Sequence, residues 1–221
     1  MAPVEKVKFG FSIPQIFPYG PVDMGLVRDV VKKGEALGYH SAWVGDGIPG
    51  YSRSLDPITL LGYVAGVTSQ LQLGVSVLVT PLRNPVQVAK MMGSLDVLSS
   101  GRLIVGVGFG LDHAYVPAYG VPIEERIPRL VEGLKVMKAL WTQSPANFEG
   151  RFWQLEDMKM DPQPIQKPCP PIWFGGQHPD ALRRSVRYGD GWMGAGSSST
   201  AQFKQGVLVL RRCLEERERD P

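Results

Sequence analysis

The sequence predicts an α/β fold with a parallel sheet. The expected form is a TIM-type (β/α) barrel, incomplete at about six β–α units with the last two missing. Short apolar runs alternate with helical patterns, and a buried strand joined by a crossover helix to the next makes a parallel sheet. Gly74-Val-Ser-Val-Leu-Val-Thr-Pro-Leu-Arg-Asn-Pro85, an apolar helix and Gly101-Arg-Leu-Ile-Val-Gly-Val-Gly-Phe-Gly110 read as strand, loop, helix and strand, ending in a glycine-rich turn. Glycines at the C-terminal end of such a strand let the backbone approach a ligand, and α/β barrels place their chemistry at that end. The 26 glycines and 19 prolines among 221 residues supply the tight loops of a repeated βα chain. A closed barrel takes eight strands and about 250 residues, so the chain is expected to stop where a seventh strand begins.

Val7 to Ile13 reads as a first strand, stopped by Pro14. Asp23 caps a helix with Leu26, Val27, Val30, Val31 and Leu37 at helical spacing, and Gly38 takes the C′ position. Ser41 to Gly45 is a second strand that ends at Asp46-Gly47. Asp56 and Pro57 give cap and first-turn signals for a helix to about Thr68. Leu71 to Val79 is the third strand, and Asn84-Pro85 repeats the helix-start signal. The helix it opens buries Val88, Met92 and Leu95 and stops near Ser99-Ser100-Gly101; Leu103 to Phe109 is the fourth strand. From about Glu124 to Trp141 a helix places Ile127, Leu130, Leu134, Met137 and Trp141 on one face.

The helical period then breaks. Phe148 to Leu155 reads as a hairpin around Glu149-Gly150, followed by a proline-rich segment at 162–171. Residues 143–168 form an excursion between the fourth and fifth strands of a single 1–221 domain. Ile172 to Phe174 starts the fifth strand, which ends at Gly175-Gly176, and a helix runs from Pro179 to Tyr188. Gly191 to Met193 is a sixth strand. The Ser197 to Thr200 run caps a last helix to about Glu218, with Phe203, Val207, Leu210 and Leu214 inward.

Hydrophobic residues at 43% and charged residues at 20% are ordinary for a soluble globular protein. Twenty-four basic against 21 acidic residues, a net charge of +3, is too balanced for a nucleic-acid protein. Cys169 and Cys213 form neither a disulfide framework nor a metal spacing, and no spacing among His40, His113 and His178 suggests a metal. No long apolar stretch precedes the first strand. A cytoplasmic chain without membrane or nucleic-acid partners is therefore expected.

Several short pieces stand in order along these elements: Phe9-Gly-Phe-Ser-Ile-Pro14, Ala36-Leu-Gly-Tyr-His-Ser-Ala-Trp-Val-Gly-Asp46, Asp56-Pro-Ile-Thr-Leu60, Leu73-Gly-Val-Ser-Val77, Arg83-Asn-Pro85 and Leu95-Asp-Val-Leu-Ser-Ser-Gly-Arg-Leu103. Gly106-Val-Gly108, Ala139-Leu-Trp141, Phe148-Glu-Gly150, Pro170-Pro-Ile-Trp-Phe-Gly-Gly176 and Gly189-Asp-Gly-Trp192 follow. With these, the chain from about Lys8 to Asp220 resembles the bacterial luciferase-like monooxygenase superfamily, closest to its members that use the deazaflavin coenzyme F-420. The resemblance implies an oxidoreductase with coenzyme F-420 across the C-terminal strand ends, passing hydride to or from a small organic substrate. An FMN-dependent monooxygenase is the same-class alternative. A homodimer through the helices beside the second and third strands is implied as well.

Ser76-Val77 matches the family's non-prolyl cis peptide behind the isoalloxazine ring. Thr80 and the turn Gly108-Phe109-Gly110 lie along the cofactor by the same resemblance. Gly175-Gly176-Gln177-His178 precedes a helix N-terminus, where free N–H groups and the helix dipole receive anions, and it is assigned the cofactor phosphate. Asp46 either meets the ring near the reacting carbon or caps its own loop. His113 is the candidate general acid, or else a solvated loop histidine; His40 reads as structural. Gly47 stands where several deazaflavin members carry histidine, and Leu111 and Ala114 stand where an aromatic residue and a glutamate are frequent. Those departures keep open a reading of a different class, a non-catalytic barrel that binds flavin or serves as a subunit.

Overall fold

The computed structural model describes residues 7–47, 54–110, 116–196 and 198–220. Its helices start where side chains satisfy the free backbone N–H groups. Asp23 accepts from Leu26 N at 2.9 Å to open α1 (Met24–Ala36), which ends at Gly38 with φ +78°. Asp56 and Asn84 do the same for α2 (Pro57–Val67) and α3 (Pro85–Leu98), each with proline in the first turn. Beyond these lie α4 (Arg126–Thr142), α5 (Pro179–Tyr188) and α6 (Thr200–Glu215), the last opened by a reciprocal Ser199–Gln202 capping box.

The strands are β1 (Gly10–Ser12), β2 (Ser41–Val44), β3 (Gln72–Val75), β4 (Leu78–Val79), β5 (Leu103–Gly108), β8 (Ile172–Gly175) and β9 (Gly191–Met193). All pair in parallel in the order β1-β2-β3-β5-β8-β9, with β4 on β5. The sheet curls. Flat strands three intervals apart lie about 14 Å from each other, yet Trp43 on β2 and Trp173 on β8 meet with ring centroids 5.5 Å apart. The convex face buries Leu73, Val105, Ile172 and Phe174 with Val31, Leu61, Met92 and Met137 from the helices. Trp141 on α4 donates its indole N–H to Ala89 O at 2.9 Å, tying α4 to α3.

The six β–α units stand as the sequence predicts, with three local differences. The third strand is not continuous. The Ser76–Val77 peptide is cis and separates β3, paired to β2 and β5, from β4, paired to β5 alone. The first strand is three residues long because only Gly10 to Ser12 has a partner in β2. The predicted inward faces are also trimmed: Ile127 is 41% and Phe203 47% exposed. Ile127 lines a groove beside the hairpin, and Phe203 spends one ring face on Trp192.

The excursion is bound to the barrel rather than free of it. Its strands β6 (Ala146–Glu149) and β7 (Gln154–Met158) form an antiparallel hairpin. Glu132 of α4 accepts from Arg151 N, Phe152 N and Trp153 N at 2.7–3.1 Å, and Arg129 lies 4.4 Å from the Phe152 ring centroid. Fully buried Asp96 of α3 accepts from Gln166 N and Nε2, pinning the proline-rich segment.

At the N-terminal end of the strands, Glu35 accepts from Ser69 N, Gln70 N and Leu71 N at 2.6–3.2 Å. Burial pushes its carboxyl up, but these three donors and the Arg102 charge outweigh that and hold it below its ordinary value of 4.5. A depressed folded-state pKa gives stability that is present above the unfolded pKa and is lost as pH falls through the folded one. Urea midpoints are therefore expected to drop for the native chain below about pH 4.5, and to drop less steeply for Glu35→Gln. Identical slopes would contradict this assignment.

Candidate active site

Because every strand of the sheet is parallel, their C-terminal ends share one rim, and the loops after β2, β4, β5, β8 and β9 gather there. Val77 organises its centre. A methyl group on Gly108 would fall 2.5 Å from Val77 Cγ2, and one on Gly175 would fall 2.6 Å from Val77 Cγ1. The ends of β5 and β8 close on Val77 only because both residues lack a side chain. The structure thus brings four predicted site residues together: Ser76, Val77, Gly108 and Gly175.

Thr80 begins the turn after β4. It is 8% exposed, and its Oγ1 is buried with no hydrogen-bond partner among the described residues. A buried hydroxyl without a partner costs free energy. Phe109 and Gly110 form the turn after β5, with Gly110 at φ +75°. Arg126, 5% exposed, braces this turn: it donates to Phe109 O at 3.3 Å, and its guanidinium carbon lies 5.5 Å from the ring centroid.

Asp46 has both carboxylate oxygens engaged. Oδ2 accepts from Val79 N at 2.9 Å, Oδ1 accepts from Arg83 Nη2 at 2.8 Å, and the side chain is 3% exposed. Of the two readings of Asp46, this geometry is that of a loop fastener that locks the end of β2 to β4. Arg83 also stands 3.7 Å from Asp56. Gln15, 7% exposed, adds a second lock: it donates to Gly45 O and Leu55 O and accepts from Gly45 N. Arg83→Met is expected to leave Asp46 buried without its cation and to cost about 2–3 kcal/mol, with Val79 N released from a rigid partner. A urea midpoint unchanged from the native chain would contradict it.

The last predicted segment, Gly175-Gly176-Gln177-His178, leads into α5. Gly176 has φ +126°, a conformation other residues rarely adopt. His178 caps the helix, its Nδ1 accepting from Asp180 N at 3.2 Å. Trp192 donates its indole N–H to Gly176 O at 2.7 Å, and Gln177 donates to Ser198 Oγ. Along the concave face of the sheet runs an open cavity of 1190 Å³, from Lys8, His40 and Ser41 at the N-terminal strand ends to Gln15, Ser76 and Gly194 at the rim. His113 lies outside the described residues, as do Leu111 and Ala114. Among the described residues no His, Cys, Asp or Glu group is arranged to hold a metal, and no helix is long and apolar enough to cross a membrane.

Three residues of this rim, Gln15, Arg83 and Arg126, carried no assignment in the sequence, and Trp192 read there, with Trp43 and Trp173, as core or pocket wall. Arg83 and Trp192 lie inside recurring pieces, Arg83-Asn-Pro85 and Gly189-Asp-Gly-Trp192, which was the available signal. Gln15 and Arg126 act on backbone far away in sequence, and nothing local announces that.

The luciferase-like monooxygenase family model matches residues 8–221. The chain belongs to this family. It is 31% identical over 201 residues to a coenzyme F-420-dependent glucose-6-phosphate dehydrogenase of Kineococcus radiotolerans, covering 86% of this chain and 58% of that one. The chain spans little more than half the length of the curated relatives it matches. Among solved structures, an F-420-dependent secondary alcohol dehydrogenase in complex with an F-420–acetone adduct superposes with a TM-score of 0.83 at 23% identity, over 98% of this chain and 66% of that one. The FMN-bound oxygenating constituent of 3,6-diketocamphane monooxygenase from Pseudomonas putida does so with a TM-score of 0.82 at 19% identity, over 98% and 65%. These two likenesses establish the fold. The family's neighbours of this chain thus include both deazaflavin and flavin proteins.

Proposed function

We propose that this chain forms the cofactor-binding part of an oxidoreductase that uses the deazaflavin coenzyme F-420 and acts on an unidentified small organic substrate. The observation that carries the reading is the convergence of Ser76, Val77, Gly108 and Gly175 on one rim, beside the unpartnered buried hydroxyl of Thr80. A planar polar ring suits that place, because Val77 packs against Gly108 and Gly175 into a surface with no projecting polar side chain, and Thr80 gains a partner. When bound, the cofactor supplies the hydride chemistry. The chain orients it. Val77 forms the floor, Thr80 offers a hydrogen bond, and Arg126 keeps Phe109 and Gly110 in place. The Gly175–His178 loop receives the phosphate; the first turn of α5 does not offer the free N–H groups that the sequence suggests, because Asp180 N donates to His178 Nδ1 and Ala181 N to His178 O. Asp46, Arg83 and Gln15 hold the loop after β2 rigid, so the rim is pre-formed.

FMN is the second reading, favoured by the FMN-bound neighbour whose fold superposes equally well. Titration of the purified chain with F-420 and with FMN, read by tryptophan quenching and ligand absorbance, decides. Saturable roughly micromolar binding of F-420 alone is expected. Binding of FMN alone would transfer the proposal to a flavin monooxygenase. Binding of neither would overturn both and favour the non-catalytic reading. The homodimer through α2 and α3 is likewise proposed, supported by the exposed apolar residues Tyr63, Met91 and Leu98 on those helices; light scattering at the monomer mass would exclude it.

A further inference from the structure

The loop that enters α5 is held from outside itself. Trp192 lies on β9 and reaches across to Gly176, donating Nε1–H to its carbonyl at 2.7 Å. The indole is fixed in turn by α6. Its ring stacks on Phe203 with centroids 5.2 Å apart and an interplanar angle of 19°, and it passes so close to Gly206 that a methyl group there would fall 2.9 Å from it. A trans peptide is planar, with its C=O and N–H pointing in opposite directions. Drawing the Gly176 carbonyl toward Trp192 therefore turns the Gln177 N–H the other way. Among the described residues that N–H makes no hydrogen bond. Gln177 is restrained too, through Ser198 Oγ, which itself donates to Ala195 O at 2.7 Å. The one carboxylate in the first turn of α5, Asp180, is paired to Arg183 at 2.7 Å and does not stand alone against an incoming anion.

We propose that Trp192 is a positioning residue for phosphate: its indole N–H presets the Gly176 peptide so that the Gly175–His178 loop is ready to receive the phosphate of the bound cofactor. The inference rests on the cofactor reading above and deepens it. Without the indole donor, the loop samples other peptide orientations, and binding has to select the competent one. Phosphate-dependent affinity falls while contacts to the ring are untouched.

FMN and riboflavin differ only in the phosphate, as do the 5′-phosphate of F-420's riboflavin-like core and that core itself, whereas whole F-420 adds a lactyl-glutamyl tail beyond the phosphate. The affinity ratio within the matched pair that the native chain binds is measured for the native chain, for Trp192→Phe, which keeps an aromatic ring but removes the donor, and for Ser198→Ala, which frees the exposed Gln177 through a change at a half-buried residue. Trp192→Phe is expected to weaken the phosphate-bearing ligand about three- to ten-fold while the phosphate-free ligand changes less than about two-fold. Ser198→Ala is expected to move the ratio the same way by a smaller factor. Equal losses for both ligands, or no loss for either, overturn the proposal, with thermal unfolding confirming that each variant is folded. Should Trp192→Phe fail to fold, Ser198→Ala decides alone. A native chain that binds both members of a pair equally removes phosphate from the loop and overturns this inference while leaving ring binding intact. A native chain that binds none of the four ligands overturns the cofactor reading itself, and this inference with it.

Discussion

Gly106→Ala is expected to abolish cooperative folding or to destabilise the chain by about 4 kcal/mol or more. Gly106 lies in the middle of β5, opposite Trp173 of β8, with β3 on its other side. A methyl group on Gly106 would stand 1.8 Å from the Val75 carbonyl oxygen and 2.6 Å from Met193 Cε. The methionine end is flexible and can move aside. The carbonyl cannot, because it belongs to the last residue of β3, whose neighbours pair on both sides. Relief requires the end of β3 to shift, and Ser76 and Val77 shift with it. The variant therefore loses stability and disorders the centre of the rim together. Thermal unfolding monitored by circular dichroism checks this. A folded variant with a Tm within about 3 °C of the native chain would contradict the packing described for β3 and β5.

Arg102→Ala is expected to cost about 3–5 kcal/mol and to lower Tm by about 10 °C. Arg102 is 8% exposed, at the opposite end of the sheet from the site. All five of its donors are used: Nε on Ser99 O at 2.6 Å, Nη1 on Thr68 Oγ1 at 3.1 Å and Leu71 O at 2.9 Å, Nη2 on Ala65 O at 3.1 Å and Thr68 O at 3.0 Å. One guanidinium thus closes the C-terminus of α2, the entry to β3 and the turn before β5. Removing it strands buried carbonyls, each a desolvated acceptor without a donor. Arg102→Lys restores the charge but not the planar fork, and is expected to recover less than half of the loss. Since Arg102 is remote from the rim, ligand affinity in the folded fraction should stay within about two-fold of native. Full stability in Arg102→Ala would show that the end of α2 is closed by other means.

Much of the fold was legible because its signals are local. Asp56-Pro57, Asn84-Pro85 and the Ser197 to Thr200 run announce helix starts through neighbouring residues, and each start is where the sequence puts it, the last with Ser199 as the cap. The site was legible only in part. The glycines of Gly106-Val-Gly-Phe-Gly110 advertise close backbone approach, but not that Val77 is what approaches Gly108. The Asp46 carboxylate is visible in the sequence. Its saturation by Val79 N and Arg83, 33 and 37 residues away, is not. Trp192 is similar. On a short strand an indole looks like filler, and its hydrogen bond to Gly176 exists only once β8 and β9 pair. Helix faces erred where a neighbour decides exposure, as Ile127 and Phe203 illustrate.

The central claim is that one rim, built from the ends of β4, β5 and β8, receives the cofactor. Amide hydrogen exchange with and without saturating F-420, and separately FMN, tests it most directly. Slowed exchange is expected at Val79 and Thr80, at Phe109 and Gly110, and from Gly176 to Ala181, with the N-terminal end of the sheet around Arg102 unchanged. Ligand binding that leaves these three segments at their free rates, or that protects the outer groove between α1 and Phe11 instead, would contradict it.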